Sequence, residues 1–238
     1  MKIVRNTLVI ILLIGLLILS WFTAGLRYVD TDRNLVALTF DDGPNPPYTE
    51  QLLQTLEEKQ VTATFFLIGQ EVTAHPETAR RILDGGHEIG GHSSDWKTLA
   101  FESPEEMEGK LQEMELAFTS VGIPNTTLFR PPGGFMLPWQ RTMVLERGLT
   151  HVSANVVVSD WKQIDAETIR DRVLKKVHRG SIIALHDGGG DRSATLAAVP
   201  MIIDALREQG YEFVSVSELL EEQPEAPPSA PGFFMQDK

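Results

Sequence analysis

Two adjacent carboxylates, Asp41 and Asp42, close the apolar run LVALTF and are followed at once by Gly-Pro-Asn. Asp, Gly, Pro and Asn are turn formers, so DDGPN read alone divides evenly between a turn and a site. Two carboxylates held side by side repel, which raises one pKa unless a cation or a donor relieves it. A divalent metal would relieve it, taking one carboxylate as ligand and leaving the other as proton acceptor. His92, at the end of EIGGH, is by itself more often a hydrogen-bonded structural histidine than a ligand; beside a carboxylate pair at another strand end the balance turns towards ligand. An oxygen and nitrogen donor set suits zinc, cobalt or nickel, and a catalytic site keeps one position open for water.

Other polar residues stand at comparable places: Arg130 after LF, Asp160 after NVVVS, His186 and Asp187 after IIAL. RPPGG (130–134) can be a rigid turn, and its Arg130 also brings a permanent charge. HDGGGDRS (186–193) lacks the Gly-Lys-Ser/Thr of a phosphate cradle and reads better as a flexible loop behind a catalytic histidine. His75, His151 and His178 lack acidic neighbours at useful spacing and read as surface or packing residues, and His87 as a turn residue.

Elements must carry these groups to one place. Short apolar runs at 35–40, 63–69, 88–92, 152–158, 181–187 and 212–216 read as strands. Between them, 48–59, 76–86, 103–122, 137–148, 165–177 and 193–210 read as helices, several opening on Ser, Asp or Pro and closing on Gly. Strands alternating with helices predict an α/β barrel or open parallel sheet. In such folds the carboxyl ends of the strands form the site face, so the polar residues would share one mouth.

A chain of 238 residues, 42% hydrophobic, suits one globular unit with appendages. The net charge of -12 leaves no basic surface for nucleic acid, and the absence of cysteine excludes disulfides and sulfur-based metal sites. Lys2 and Arg5 precede an uncharged apolar run at 7–26, closed by Arg27. About 20 helical residues span a bilayer core. An uncleaved anchor fits better than a signal peptide, because FTA puts Phe22 where a small residue is wanted. The expected layout is an anchor at 1–27, a linker at 28–34, a catalytic domain at 35–220 and a flexible Pro/Glu-rich tail at 221–238. The flanking charges put the domain on the extracytoplasmic side of a cell membrane.

The ordered motifs TFDDGPN, GHEIGGHSSDW, RPPGG, SDW and LHDGGGDRSATL closely resemble those of the polysaccharide deacetylases of carbohydrate esterase family 4, the NodB-homology domains, over 35–220. The resemblance implies a distorted (β/α) barrel that removes acetyl groups from N-acetylglucosamine-type polymers, or O-acetyl groups from xylan. It implies Asp41 as general base, Asp42 and His92 as metal ligands, and His186 as general acid. Arg130 would orient the carboxylates, Asp160 tune the acid histidine and Trp161 wall the acetyl pocket. Pro132 and Gly133 would bind substrate in the RPPGG turn, where a backbone N–H holds the oxyanion. The implied partner is an acetylated polysaccharide or oligosaccharide, with zinc, cobalt or nickel as cofactor.

The chain departs from that pattern at HSSDW, where Trp96 stands in place of the second histidine ligand. An indole N–H only donates and cannot ligate a metal. Asp95 is the candidate replacement, although the neighbouring position on a helical turn points about 100° away. Val157 replaces a frequent acid, and Gly133 a frequent aromatic. Two readings follow: a deacetylase with an altered metal site, or a catalytically silent carbohydrate-binding or regulatory module. An aspartate-nucleophile phosphohydrolase is set aside because the Asp-x-Asp spacing is missing.

Overall fold

The computed structural model describes residues 25–162 and 164–223. Eight strands form one sheet: β1 (Leu35–Asp41), β2 (Thr64–Leu67), β3 (Glu88–Gly91), β4 (Leu128–Phe129), β5 (Thr150–His151), β6 (Val156–Val157), β7 (Ser181–His186) and β8 (Glu212–Val214). Every pairing is parallel, in the order β5-β4-β3-β2-β1-β7-β6, with β8 beside the start of β1. The helices are α1 (Tyr48–Glu58), α2 (Gly69–Ala74), α3 (Pro76–Asp84), α4 (Pro104–Ser120), α5 (Pro138–Glu146), α6 (Ala166–Lys176), α7 (Ser193–Glu208) and α8 (Val216–Glu221). The sheet is a half-barrel wrapped by helices, in agreement with the expected (β/α) architecture.

All seven residues of β1 are buried, as a strand covered on both faces requires. Its period of two sorts them. Val36, Leu38 and Phe40 join the large cluster under the helices, whereas Leu35 and Ala37 join Phe66, Leu128, Val152, Ile182 and Ala184 inside the barrel. Continuing that alternation sends Thr39 and Asp41 inward, and Ile182 and Ala184 on β7 send His186 the same way. Two glycines make room on β3. A Cβ at Gly90 would lie 2.5 Å from the Phe66 ring, and one at Gly91 would lie 2.5 Å from Met114 Sδ.

The helix ends follow the capping chemistry. Ser103 accepts from Glu106 N while the Glu106 side chain accepts from Ser103 N, a capping box that starts α4. Asp165 caps α6 by accepting from Thr168 N. The two short helices α2 and α8 were not expected. The expected strand at 152–158 is broken, because Asn155 leaves the ladder: its side chain accepts from Ile182 N and donates to Ser181 Oγ. Residues 28–34, expected as a linker, carry part of the fold. Leu26 bridges Val152, Tyr28 bridges Ser181, and Val29 is buried.

All but the last two residues of the apolar run 7–26, and the tail beyond 223, lie outside the described residues, among which no helix is long and apolar enough to cross a membrane.

Gly90→Ala should destabilise the protein by about 1–3 kcal/mol in denaturant unfolding, because the added methyl meets a buried ring. Gly109→Ala in α4, where a Cβ meets nothing within 4 Å, should instead stabilise it by up to about 1 kcal/mol.

Candidate active site

The strand ends meet in a cleft of about 550 Å³ whose lining includes Asp41, Asp42, His92, Arg130, Trp161, His186 and Arg192. Its geometry is set by strand register. Asp41 on β1 lies directly beside His186 on β7. Gly91 lies beside Phe129, so the next residues, His92 and Arg130, are neighbours in turn.

Arg130 is buried at 4% exposure and touches most of the site. Its Nη1 donates to Asp41 Oδ1 at 2.6 Å and to Thr39 Oγ1 at 2.7 Å, and its Nη2 donates to Ser153 O at 3.1 Å. The guanidinium lies over the Phe66 ring, 4.0 Å from the centroid. A buried cation this well paired fixes Asp41 in one orientation. The Arg130 carbonyl accepts from His92 Nδ1 at 2.7 Å. A carbonyl has no proton to give, so Nδ1 carries a hydrogen, and Nε2 stands 3.4 Å from Asp42 Oδ1.

The second dyad sits across the cleft. His186 Nδ1 donates to Asp160 Oδ1 at 2.9 Å, leaving Nε2 as the free ring nitrogen. Asp160 is buried, and its Oδ2 accepts from His186 N and Thr195 Oγ1, both at 2.9 Å. Burial disfavours the imidazolium, but Asp160 and the charges of Asp41 and Asp42 outweigh it and hold the His186 pKa above its ordinary value. Trp161 sets its ring edgewise on the imidazole, centroids 4.8 Å apart. Burial likewise opposes ionisation of Asp42, yet His92, His186 and Arg192 together hold its carboxyl below the usual range.

Three non-glycine residues at these strand ends adopt left-handed backbone: Asp42 (φ 74°), Ser93 (φ 70°) and Ser159 (φ 59°). Each such residue costs about 1–3 kcal/mol and persists only where its surroundings impose it. The DDG and HDG turns also interlock. A Cβ at Gly43 would fall 2.2 Å from Asp187 Oδ2, and one at Gly188 only 1.9 Å from Asp42 O. Asp187 accepts from Thr49 Oγ1 at 2.5 Å, and burial pushes its pKa up to about 7.

Asp42 and His92 fit two corners of a divalent-ion site, since donors on a tetrahedral ion at about 2.1 Å stand roughly 3.4 Å apart. The third corner has no His, Cys, Asp or Glu donor among the described residues. Trp96 is 45% exposed. Asp95, the expected replacement, is engaged elsewhere: its Oδ1 takes Lys110 Nζ at 2.5 Å from α4, a partner 15 residues along the chain. Among the described residues no three His, Cys, Asp or Glu side chains converge on one ion position.

In the RPPGG turn, Pro132 is buried and Pro131 lines the cleft in its place. Gly133 does line it, with φ 73°, and its N–H makes no hydrogen bond among the described residues, whereas Gly134 N is spent on Pro131 O. His87 and His151 are core residues whose pKa burial pushes down to about 4. The loop after His186, expected to be flexible, is instead pinned by Arg192, a cleft residue overlooked in the sequence. Its partners are main-chain carbonyls, which leave no sequence signal.

A family model described as polysaccharide deacetylase matches residues 28–152. The chain is 39% identical over 194 residues to a peptidoglycan-N-acetylglucosamine deacetylase of Bacillus cereus, covering 81% of this chain and 91% of that protein. It is similar to the crystal structure of a peptidoglycan N-acetylglucosamine deacetylase bound to an N-oxidanyl-benzamide, with a TM-score of 0.81 and 30% identity over 86% of this chain and 98% of that one. It is also similar to a family 4 carbohydrate esterase pseudoenzyme of Bacillus anthracis, with a TM-score of 0.78 and 27% identity over 83% of this chain and 69% of that one. With a matching model over more than half its length and a close relative along most of it, the chain belongs to the polysaccharide deacetylase family.

Proposed function

We propose that the chain hydrolyses the acetamido group of N-acetylglucosamine-type residues in a cell-envelope or extracellular polysaccharide, held at the outer side of the cytoplasmic membrane by the apolar run 7–26. The carrying observation is the register that sets Asp41 beside His186, each with its own orienting partner, Arg130 and Asp160. A base and an acid flanking one cleft suit hydrolysis of an amide, whose nitrogen leaves only when protonated.

A divalent ion, zinc first with cobalt or nickel as alternatives, would be held by Asp42 and His92 and would polarise the acetyl carbonyl and acidify water. The chain's own residues do the rest. Asp41 takes the proton of the attacking water, and Arg130 keeps its carboxylate aimed. Gly133 N–H receives the developing oxyanion, a contact whose loss typically costs about 10²–10³ in rate. His186 Nε2–H delivers its proton to the departing nitrogen, with Asp160 stabilising the imidazolium.

The raised His186 pKa fixes the sign of the pH dependence. The acid form is present below that pKa, and activity should fall as pH rises through it, above the ordinary value near 6.5. Asp160→Asn should move this alkaline limb to lower pH and slow acetate release by about 10²–10⁴. A limb that stays in place in the variant's pH–rate profile would show that His186 is not the acid.

A second reading, a carbohydrate-binding module with little or no turnover, is favoured by Trp96 alone. Trp96→His should raise bound divalent metal towards one ion per chain by elemental analysis, and acetate release from N-acetylglucosamine oligomers at least about tenfold. Asp95→Ala should leave metal content unchanged, since that carboxylate already serves Lys110. If Trp96→His gains metal but neither form releases acetate, the binding reading replaces the enzyme.

A further inference from the structure

Most charges around the cleft are matched. Asp41 faces Arg130, Asp160 faces His186, and Asp42 faces His92. Arg192 is the exception. It lines the cleft at 6% exposure and has no carboxylate within ion-pair distance among the described residues. Its neighbour Asp191 accepts from Ser193 N instead.

What holds Arg192 is backbone. Nε donates to Gly188 O at 2.5 Å, Nη2 to Gly189 O at 2.9 Å and Nη1 to Asp191 O at 3.2 Å. A guanidinium has five N–H groups, so one on each terminal nitrogen is left over. The fork is thus rigid, desolvated and charged, with two donors unspent. It also stands close to the reacting groups: Arg192 Nη2 and Asp42 Oδ2 lie 3.1 and 3.4 Å from the same point, where a Cβ on Gly189 would sit.

We propose that Arg192 is a specificity residue that receives a carboxylate carried by the acetylated sugar, so that the cleft prefers acidic amino sugars over neutral ones. This rests on the deacetylase reading for the identity of the sugar. Two N–H donors suit the two oxygens of a carboxylate, and a guanidinium already fixed loses little entropy on binding. Asp42 stands nearby, but its charge is turned to His92 and to any cation between them. The surface as a whole is acidic, so attraction of such a substrate must come from this local charge rather than from the long-range field.

The test uses N-acetylmuramic acid and N-acetylglucosamine, which differ by one lactyl carboxylate, with the methyl ester of the former as a neutral control. Binding is followed by NMR shift titration of the full chain. The wild type should bind the acid about tenfold more tightly than either neutral sugar, and the contrast should shrink with added salt. Arg192→Gln should erase the contrast, and Arg192→Lys, which keeps the charge while losing the carbonyl clamp, should retain part of it. Equal wild-type binding of all three sugars overturns the proposal, as does a Gln variant that weakens them alike, or a Lys variant that behaves as Gln does. A preference for the acid without acetate release from any substrate sinks the deacetylase reading and leaves the anion contact standing.

Discussion

The site is organised around one buried guanidinium. Arg130 fixes the Asp41 carboxylate through its side chain and the His92 ring through its carbonyl, so a single residue at the end of β4 sets the positions of groups from β1 and β3. That double use makes the arrangement stiff. Asp41, the Thr39 hydroxyl, the Ser153 carbonyl and the face of Phe66 offset the guanidinium's loss of hydration at the two terminal nitrogens, while Nε has no partner among the described residues.

The backbone strain lies at the same place. Of the four described non-glycine residues with positive φ, Asp42, Ser93 and Ser159 each adjoin or form part of the reacting set. The central strand β1 that supports them is buried on both faces and registered over six residue pairs with β7. A stable scaffold can hold unfavourable local geometry, and the geometry turns the chain sharply as each strand opens into the cleft.

Much of this was legible in the residues because a polar side chain ending an apolar run must mark the point where a strand leaves the core. Asp41, His92, Arg130, Asp160 and His186 all followed that logic, and so did the parallel order of the longer strands. The failures were long-range or backbone-mediated. Lys110 captures Asp95 from a helix that the local spacing could not place beside it. Two-residue strands such as β5 and β6 are too short to show a period, and the role of Asn155 in ending one strand depends on Ser181 and Ile182, met only in three dimensions. The divided metal site was visible as a substitution. Among the described residues no third His, Cys, Asp or Glu joins Asp42 and His92.

The pairing of Leu26 and Tyr28 with the sheet has a mechanical consequence. Leu26 exchanges two backbone hydrogen bonds with the stretch at His151 and Ser153, and Val29 N donates to Gly180 O. Tension applied to the chain upstream would be shared by the β5 and β7 sides of the half-barrel at once rather than peeling one loop. Under such a load the two rims of the cleft would keep a constant spacing.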